Sequence, residues 1–215
     1  VSMVSSLAEV ANLNCNTADL NLLFTGGKDR KLKANLFDAN ARGGYICFSN
    51  VEFEVSNGGF EINQGRTLAF RDALVEVYMS GVFGARGGPD RHLVISDGTY
   101  LQSSGSLCVG GAGSTVVIDD SYVDLYANGH GFIFSSNADG GDIILKGRNA
   151  RLEAVSCARC AWNRSSGGRL IFVVPEGGYV TTPIMQVTLQ QRDEQIACLQ
   201  SGRLHPLRTR QNLHF

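Results

Sequence analysis

The chain has 215 residues, 43% of them hydrophobic, with 19 basic and 20 acidic residues and a formal net charge of −1. That length and apolar content can bury a sizeable core, while the even mixture of signs argues against a broad nucleic-acid-binding face, which needs clustered Lys and Arg. No apolar run approaches the roughly 18 residues of a membrane-spanning helix, and 26 glycines is well above ordinary usage.

Residues 1–32 lack the repeating pattern seen in the rest of the chain. They also lack the basic start and long apolar stretch of a secretory leader, and the chain opens on Val1, as a mature, trimmed or excised segment would. Ser5-Ser6-Leu7-Ala8-Glu9-Val10-Ala11-Asn12-Leu13 allows a short helix capped by Ser5 or Ser6. An irregular strand unit around Leu20 to Phe24 fits equally well, and either form would cap the first unit of a repeat fold. Lys28, Arg30, Lys31 and Lys33 make a local basic loop of the ordinary solvated kind.

From residue 33 to 188 one short pattern returns. Ile46-Cys47-Phe48-Ser49-Asn50, Leu68-Ala69-Phe70-Arg71-Asp72, Leu93-Val94-Ile95-Ser96-Asp97 and Val116-Val117-Ile118-Asp119-Asp120 align residue for residue. Ile143-Ile144-Leu145-Lys146-Gly147 and Leu170-Ile171-Phe172-Val173-Val174 come next, and successive copies start 22, 25, 23, 27 and 27 positions apart. A period in that range marks a stack of units, none of which buries its apolar face alone. A second alternating strand comes after the turn: Phe53-Glu54-Val55, Val75-Glu76-Val77, Val123-Asp124-Leu125 and Ala150-Arg151-Leu152, with a copy slipped by one position at Thr99 and Leu101. Apolar in, charged out, apolar in is the period-2 signature of a half-buried strand. A third strand is expected at Gly59–Ile62, Ser106–Val109 and Gly131–Phe134, with glycine-rich corners at 84–89, 110–113 and 139–141.

Three short strands and three turns in about 25 residues describe one rung of a single-stranded, right-handed parallel β-helix, an all-β solenoid with rungs of about 22–27 residues. The hairpin dipeptides Asn57-Gly58 and Asn128-Gly129 make an antiparallel β fold the competing form. The return of the same strand at every third position decides for the solenoid.

Asn50, Asp72, Asp97, Asp120 and Gly147 all fall at one corner of the rung. Asn and Asp suit it because their side chains bond nearby amides and tolerate left-handed backbone. The expected role is therefore a ladder at a bend. Stacked carboxylates at Asp72, Asp97 and Asp120 would otherwise need a bridging cation, and calcium is the ion that chemistry would suit.

Cys47 and Cys108 lie in strand patterns and read as small buried hydrophobes. Cys157-Ala158-Arg159-Cys160 has neither a second pair nor histidines at ligand spacing, so it does not read as a zinc site. Pro175 ends the last strand pattern, and residues 189–215 lose glycine and alternation and gain Gln and Arg, which reads as a terminal cap or tail.

The rung pattern from about Ile46 to Tyr179 resembles the pectin-lyase-like superfamily and the β-helical passengers of bacterial autotransporters. The resemblance implies a secreted or cell-surface bacterial protein, a piece of a longer chain, with a glycan or another surface polymer as partner. Its polygalacturonase branch uses an Asp-Asp pair and a Gly-His-Gly motif, and Asp119-Asp120 with Gly129-His130-Gly131 are the matching residues. They lie ten residues apart instead of a full rung, and the branch's other motifs are missing. Adjacent strand residues also face opposite ways, whereas glycoside hydrolysis needs two carboxyls converging on one bond. Asp97, Asp120 and His130 are thus the catalytic candidates of the alternative, a polysaccharide-active enzyme, while binding without turnover is the expected activity. Tyr100, Tyr122 and Tyr126 lie in neighbouring rungs with Asp124 and Asn128 beside them, offering ring faces and polar groups to sugars. Trp162, the only tryptophan, comes after the cysteine pair, and no Thr-x-Thr ladder recurs to suggest ice binding.

Overall fold

The computed structural model describes residues 7–57, 60–78, 82–126, 132–134, 140–154, 169–173 and 179–181. All regular structure in them is β, and every pairing is parallel. Strand β1 (Leu7–Asn14) lies on β2 (Asn21–Asp38), which shifts register between Gly27 and Lys31, and β2 lies on β3 (Tyr45–Val55). The next three rungs are divided into short strands: β4 (Thr67–Arg71), β5 (Leu74–Val77) and β6 (Val82–Ala85); β7 (His92–Ser96), β8 (Tyr100–Ser103) and β9 (Ser106–Val109); β10 (Thr115–Asp119), β11 (Tyr122–Leu125) and β12 (Phe132–Phe134). Then come β13 (Asp142–Lys146), β14 (Asn149–Ala154), β15 (Arg169–Val173) and β16 (Tyr179–Thr181).

These strands stack into a parallel β-solenoid of about five turns. Face A runs from the first halves of β2 and β3 through β4, β7, β10, β13 and β15. Face B runs from β1 and the second halves of β2 and β3 through β5, β8, β11, β14 and β16. Face C holds β6, β9 and β12.

The recurring apolar positions explain the stack. Ile46, Leu68, Leu93, Val116 and Ile143 are fully buried in one inward row, and Phe24, Phe48, Phe70, Ile95, Ile118 and Leu145 form the next. In the first rungs that second row is aromatic. Phe48 stacks on Phe24 at 4.6 Å, on Phe53 at 4.2 Å and on Phe70 at 5.5 Å, while Phe37 meets it edge-on at 5.6 Å.

The corner between faces A and B behaves as its residue types require. Asn50, Asp72, Asp97 and Asp120 hold φ between 45° and 59°, and Gly147 holds 90°. A second left-handed corner, between faces C and A, is less visible in the chain. Asp19 and Asp90 adopt φ of 54° and 55°, and Gly43, Gly65 and Gly113 take the same sign. Amide-to-carbonyl bonds join consecutive rungs there: Asp19 to Arg42, Gly43 to Gln64, and Asp90 to Ala112.

Beside this corner lies a buried cation. Arg66 is fully buried, and its guanidinium donates to the carbonyls of Gly43 (2.7 Å), Cys15 (2.7 Å), Ala39 (2.9 Å) and Thr17 (2.5 Å). One side chain therefore ties together loops from three successive turns. Arg91 and Ser114 occupy the same register one and two rungs on. Arg91 reaches the Arg86 carbonyl and Asn63, and Ser114 donates to the Gly88 carbonyl at 2.9 Å.

Several expectations change. Leu7–Asn14 is a strand and not a helix, because its backbone pairs along seven positions with β2. The third strand expected at Gly59–Ile62 is reduced to a single bridge between Glu61 and Gly84, and Val82–Ala85 is the strand that opens face C. The slip after Asp97 is one extra turn residue, with Asp97 and Gly98 both at positive φ. The corner after Gly147 is longer still, so Leu152 pairs with Val123 and Arg151 stands opposite Tyr122, not Asp124.

Candidate functional site

Face B carries the densest set of polar and aromatic side chains. Alternation along each strand sends every second residue outward, and the parallel register stacks these into columns. The first column reads Lys31, Glu52, Leu74, Tyr100, Tyr122, Arg151; the second reads Lys33, Glu54, Glu76, Gln102, Asp124, Glu153. Continuing the ladder one residue past each strand gives a third: Ser56, Tyr78, Ser104 and Tyr126, with Tyr78, Ser104 and Tyr126 donating amides to Val55, Val77 and Ser103.

The amino-terminal half of the face is neutralised internally. Lys31 contacts Glu52 at 2.8 Å, Glu54 at 2.5 Å and Glu76 at 3.3 Å, and Lys33 contacts Glu54 at 3.2 Å. Burial pulls the Lys31 ammonium toward neutrality, but bonds to the three carboxylates outweigh it and hold the pKa above the ordinary lysine value. Burial likewise pushes Glu54 up, and bonds to Lys31, Ser56 and Lys33 overcome it to leave the carboxyl below its usual range.

The other half is different in kind. The Tyr100 and Tyr122 rings sit 5.1 Å apart at an interplanar angle of 43°. Tyr122 donates to Glu153 at 2.8 Å, Tyr100 lies 3.4 Å from Asp124 Oδ2, and Gln102 donates to Glu76 at 3.0 Å. Burial, then the neighbouring carboxylates, raise the pKa of both phenols, so both remain hydrogen-bond donors at neutral pH. Asp124 Oδ1 is buried and has no hydrogen-bond partner. An acceptor left in that state carries a desolvation cost, and its closed surface keeps it from meeting a ligand on this face. A shallow open depression of ≈ 220 Å³ adjoins the pair, lined by Tyr100, Tyr122, Asp120, Ser121, Asn149 and Arg151 among others.

The structure thus brings together Tyr100, Tyr122 and Asp124, and places Tyr126 one column beyond Asp124 and two from the tyrosine pair. Asn128, His130, the Cys157/Cys160 pair, Trp162 and residues 182–215 lie outside the described residues. Tyr78 and Glu153 complete the face. Tyr78 had a readable signal, since Val75-Glu76-Val77-Tyr78 repeats the pattern of Val123-Asp124-Leu125-Tyr126. Glu153 was hidden by the longer corner after Gly147.

Two of the corner aspartates have their carboxylates engaged locally. Asp120 Oδ1 accepts the amides of Arg148 and Asn149, the latter at 2.9 Å, and Asp97 Oδ2 accepts the Ser96 hydroxyl at 3.0 Å. Gly147 is required where it stands, because a Cβ there would collide with the Asp120 carboxylate and its φ is 90°. Asp120→Ala is expected to cost about 1–2 kcal/mol by freeing two amides and forcing alanine into left-handed backbone. Asp120→Asn should cost less. A thermal melt of Asp120→Ala indistinguishable from the parent would refute this role. Among the described residues, no group of three or more His, Cys, Asp or Glu could hold a metal ion.

On face A, His92 links Asp90 (2.9 Å) to Thr115 (2.9 Å), the donor order of a hydroxyl nucleophile with its base and orienting acid. The Thr115 amide, however, is committed to the Arg91 carbonyl and that of Asp142 to the Ser114 carbonyl. Neither is available to stabilise an oxyanion beside the hydroxyl, which acyl transfer requires. Both cysteines placed in strands are buried; burial raises the Cys47 thiol pKa and pushes that of Cys108 up to about 11, so neither is a ready nucleophile.

Comparison of the chain with protein-family models, with curated proteins and with solved structures finds no match.

Proposed function

We propose that this solenoid is a structural and adhesive module of a secreted or cell-surface protein, of the pectin-lyase-like or autotransporter-passenger kind, and that face B binds extended glycans. The observation that carries the reading is the Tyr100–Tyr122 ring pair standing in register beside the carboxylates of Asp124 and Glu153. Sugar rings offer C–H faces to aromatic rings and hydroxyl donors to carboxylates, so such a set of groups meets both needs.

The test is calorimetric titration of the full chain with a panel of plant, fungal and bacterial polysaccharides, beside Tyr122→Ala and Tyr122→Phe. Tyr122→Ala should weaken binding at least about tenfold, equivalent to about 1.4 kcal/mol. Tyr122→Phe, which keeps the ring and loses only the bond to Glu153, should retain most of the affinity. Binding unchanged in Tyr122→Ala would rule out face B as the glycan site. Shortened polymer after incubation would favour the enzyme reading, with Asp97, Asp120 and His130 as the residues to replace.

A further inference from the structure

The outward side of face A differs from that of face B already in the sequence. On face B the middle residue of a strand is charged, as in Val75-Glu76-Val77 and Val123-Asp124-Leu125. On face A, Leu93-Val94-Ile95, Val116-Val117-Ile118 and Ile143-Ile144-Leu145 are apolar throughout. Alternation sends Val94, Val117 and Ile144 away from the core. The parallel register stacks them, with Ile171 next in line, into one column along the solenoid axis. Continuous apolar runs mark strands that are covered on both sides. Here the inward residues of these strands are fully buried, whereas Val94, Val117, Ile144 and Ile171 are only half-buried. Earlier in the same column Cys47 and Ala69 are small and already closed off, at 2% and 0% exposure, so the open stripe begins at Val94.

We propose that this stripe is the contact between two copies of the chain, packed face A to face A about a two-fold axis. Two features fit a second copy. The first is shape. Val and Ile side chains of nearly equal reach, repeated at about 4.8 Å, make a flat apolar strip, and flat β faces pack on one another about 10 Å apart with their side chains interleaved. The second is charge, which is self-complementary in the columns flanking the stripe. On β13, Asp142 and Lys146 stand on either side of Ile144; on β10, Asp119 shares the column of Lys146 and pairs with it at 2.8 Å. A two-fold axis along the stripe sets Lys146 opposite the partner's Asp142. An axis across it, between β10 and β13, sets Lys146 opposite the partner's Asp119. Neither arrangement brings like charges together along these two strands, and like charges are what would turn a second copy away. The contact leaves face B open and does not depend on that face binding glycan.

The experiment is sedimentation equilibrium of the full chain across about 1–200 µM, a range that captures a reversible dimer, beside Val117→Lys, Val117→Thr and Leu74→Lys. The parent is expected to move from the monomer mass toward twice that mass as concentration rises. Val117→Lys places an ammonium inside the apolar contact and should raise the dissociation constant at least about tenfold. Val117→Thr keeps the β-branched shape that suits the strand, so it carries the test should the lysine variant fold poorly; it should raise the constant about three- to tenfold. Leu74 is an outward residue of face B, 37% exposed, and Leu74→Lys should leave the constant within about twofold. A parent that stays monomeric throughout, whether another part of the chain or a different partner covers the stripe, would overturn the proposal. So would open-ended assemblies in place of a dimer, or a dimer equally tight in the Val117 variants and in the parent.

Discussion

Arg66→Ala is expected to destabilise the protein by about 3–5 kcal/mol, the largest loss from any single polar side chain here. Its guanidinium satisfies the carbonyls of Cys15, Thr17, Ala39 and Gly43, and it is itself completely buried. Removing it leaves those acceptors inside the corner without donors and opens a void where the side chain lay. Arg66→Met separates the two contributions, because it fills most of the volume and restores no hydrogen bond. It should recover only a minor part of the loss. Urea unfolding is the measurement, read as a fall in midpoint. Hydrogen exchange adds the location: three of the four carbonyls lie before residue 40, so faster exchange should concentrate in β1 and β2. In a solenoid each rung leans mainly on its neighbours, which confines such damage to the turns that lose contacts. An Arg66→Ala variant that unfolds like the parent would show that the corner closes without its cation.

Phe48→Ala should cost a similar amount, about 3–5 kcal/mol, through the core instead of the corner. Phe48 is fully buried and touches aromatic rings from its own rung and from both neighbours. The cavity left by its ring cannot close, because the strand spacing is set by backbone hydrogen bonds and the surrounding rings are held by their own strands. Phe48→Ile gives a graded comparison. Isoleucine already fills this row at Ile95 and Ile118, so it is compatible with the backbone, but it cannot restore stacking on Phe24 and Phe53. Its expected cost is about 1–2 kcal/mol. Equal midpoints for Phe48→Ala and Phe48→Ile would mean that the aromatic row adds nothing beyond bulk.

Most of the architecture was legible because its causes are local and repeated. The face-A strands β3, β4, β7, β10 and β13 each show two inward apolar residues and then, at the corner, Asn, Asp or Gly, and the positive φ at Asn50, Asp72, Asp97, Asp120 and Gly147 is the conformation those residue types favour. The second left-handed corner was harder to read. Its positions alternate between Asp19 or Asp90 and the glycines Gly43, Gly65 and Gly113, so no single residue type recurs. Arg66 was invisible for another reason. Arginine is seldom buried, and its acceptors are backbone carbonyls, which leave no mark in side-chain identities.

The tyrosine and carboxylate columns of face B were partly legible for the same reasons. Tyr100, Tyr122 and Asp124 meet because they belong to rungs of nearly equal length, where equal spacing translates directly into stacking. Arg151 was misplaced by two positions, and Glu153 stayed hidden, because corner length, unlike strand pattern, is set by how the turn satisfies its amides, here through Asp120. Tyr78 was readable from Val75-Glu76-Val77-Tyr78, which repeats Val123-Asp124-Leu125-Tyr126, and the register adds that Ser104 stands between the two tyrosines.

The most direct test of the proposed glycan site is amide chemical-shift mapping of the labelled protein during titration with a β-1,4-linked glucose hexasaccharide. A glycan site at the Tyr100–Tyr122 pair predicts shifts clustered in β8 and β11 and at Arg151 and Glu153, with faces A and C unmoved. Shifts confined to face A around His92 and Thr115, or none at any concentration, would contradict it.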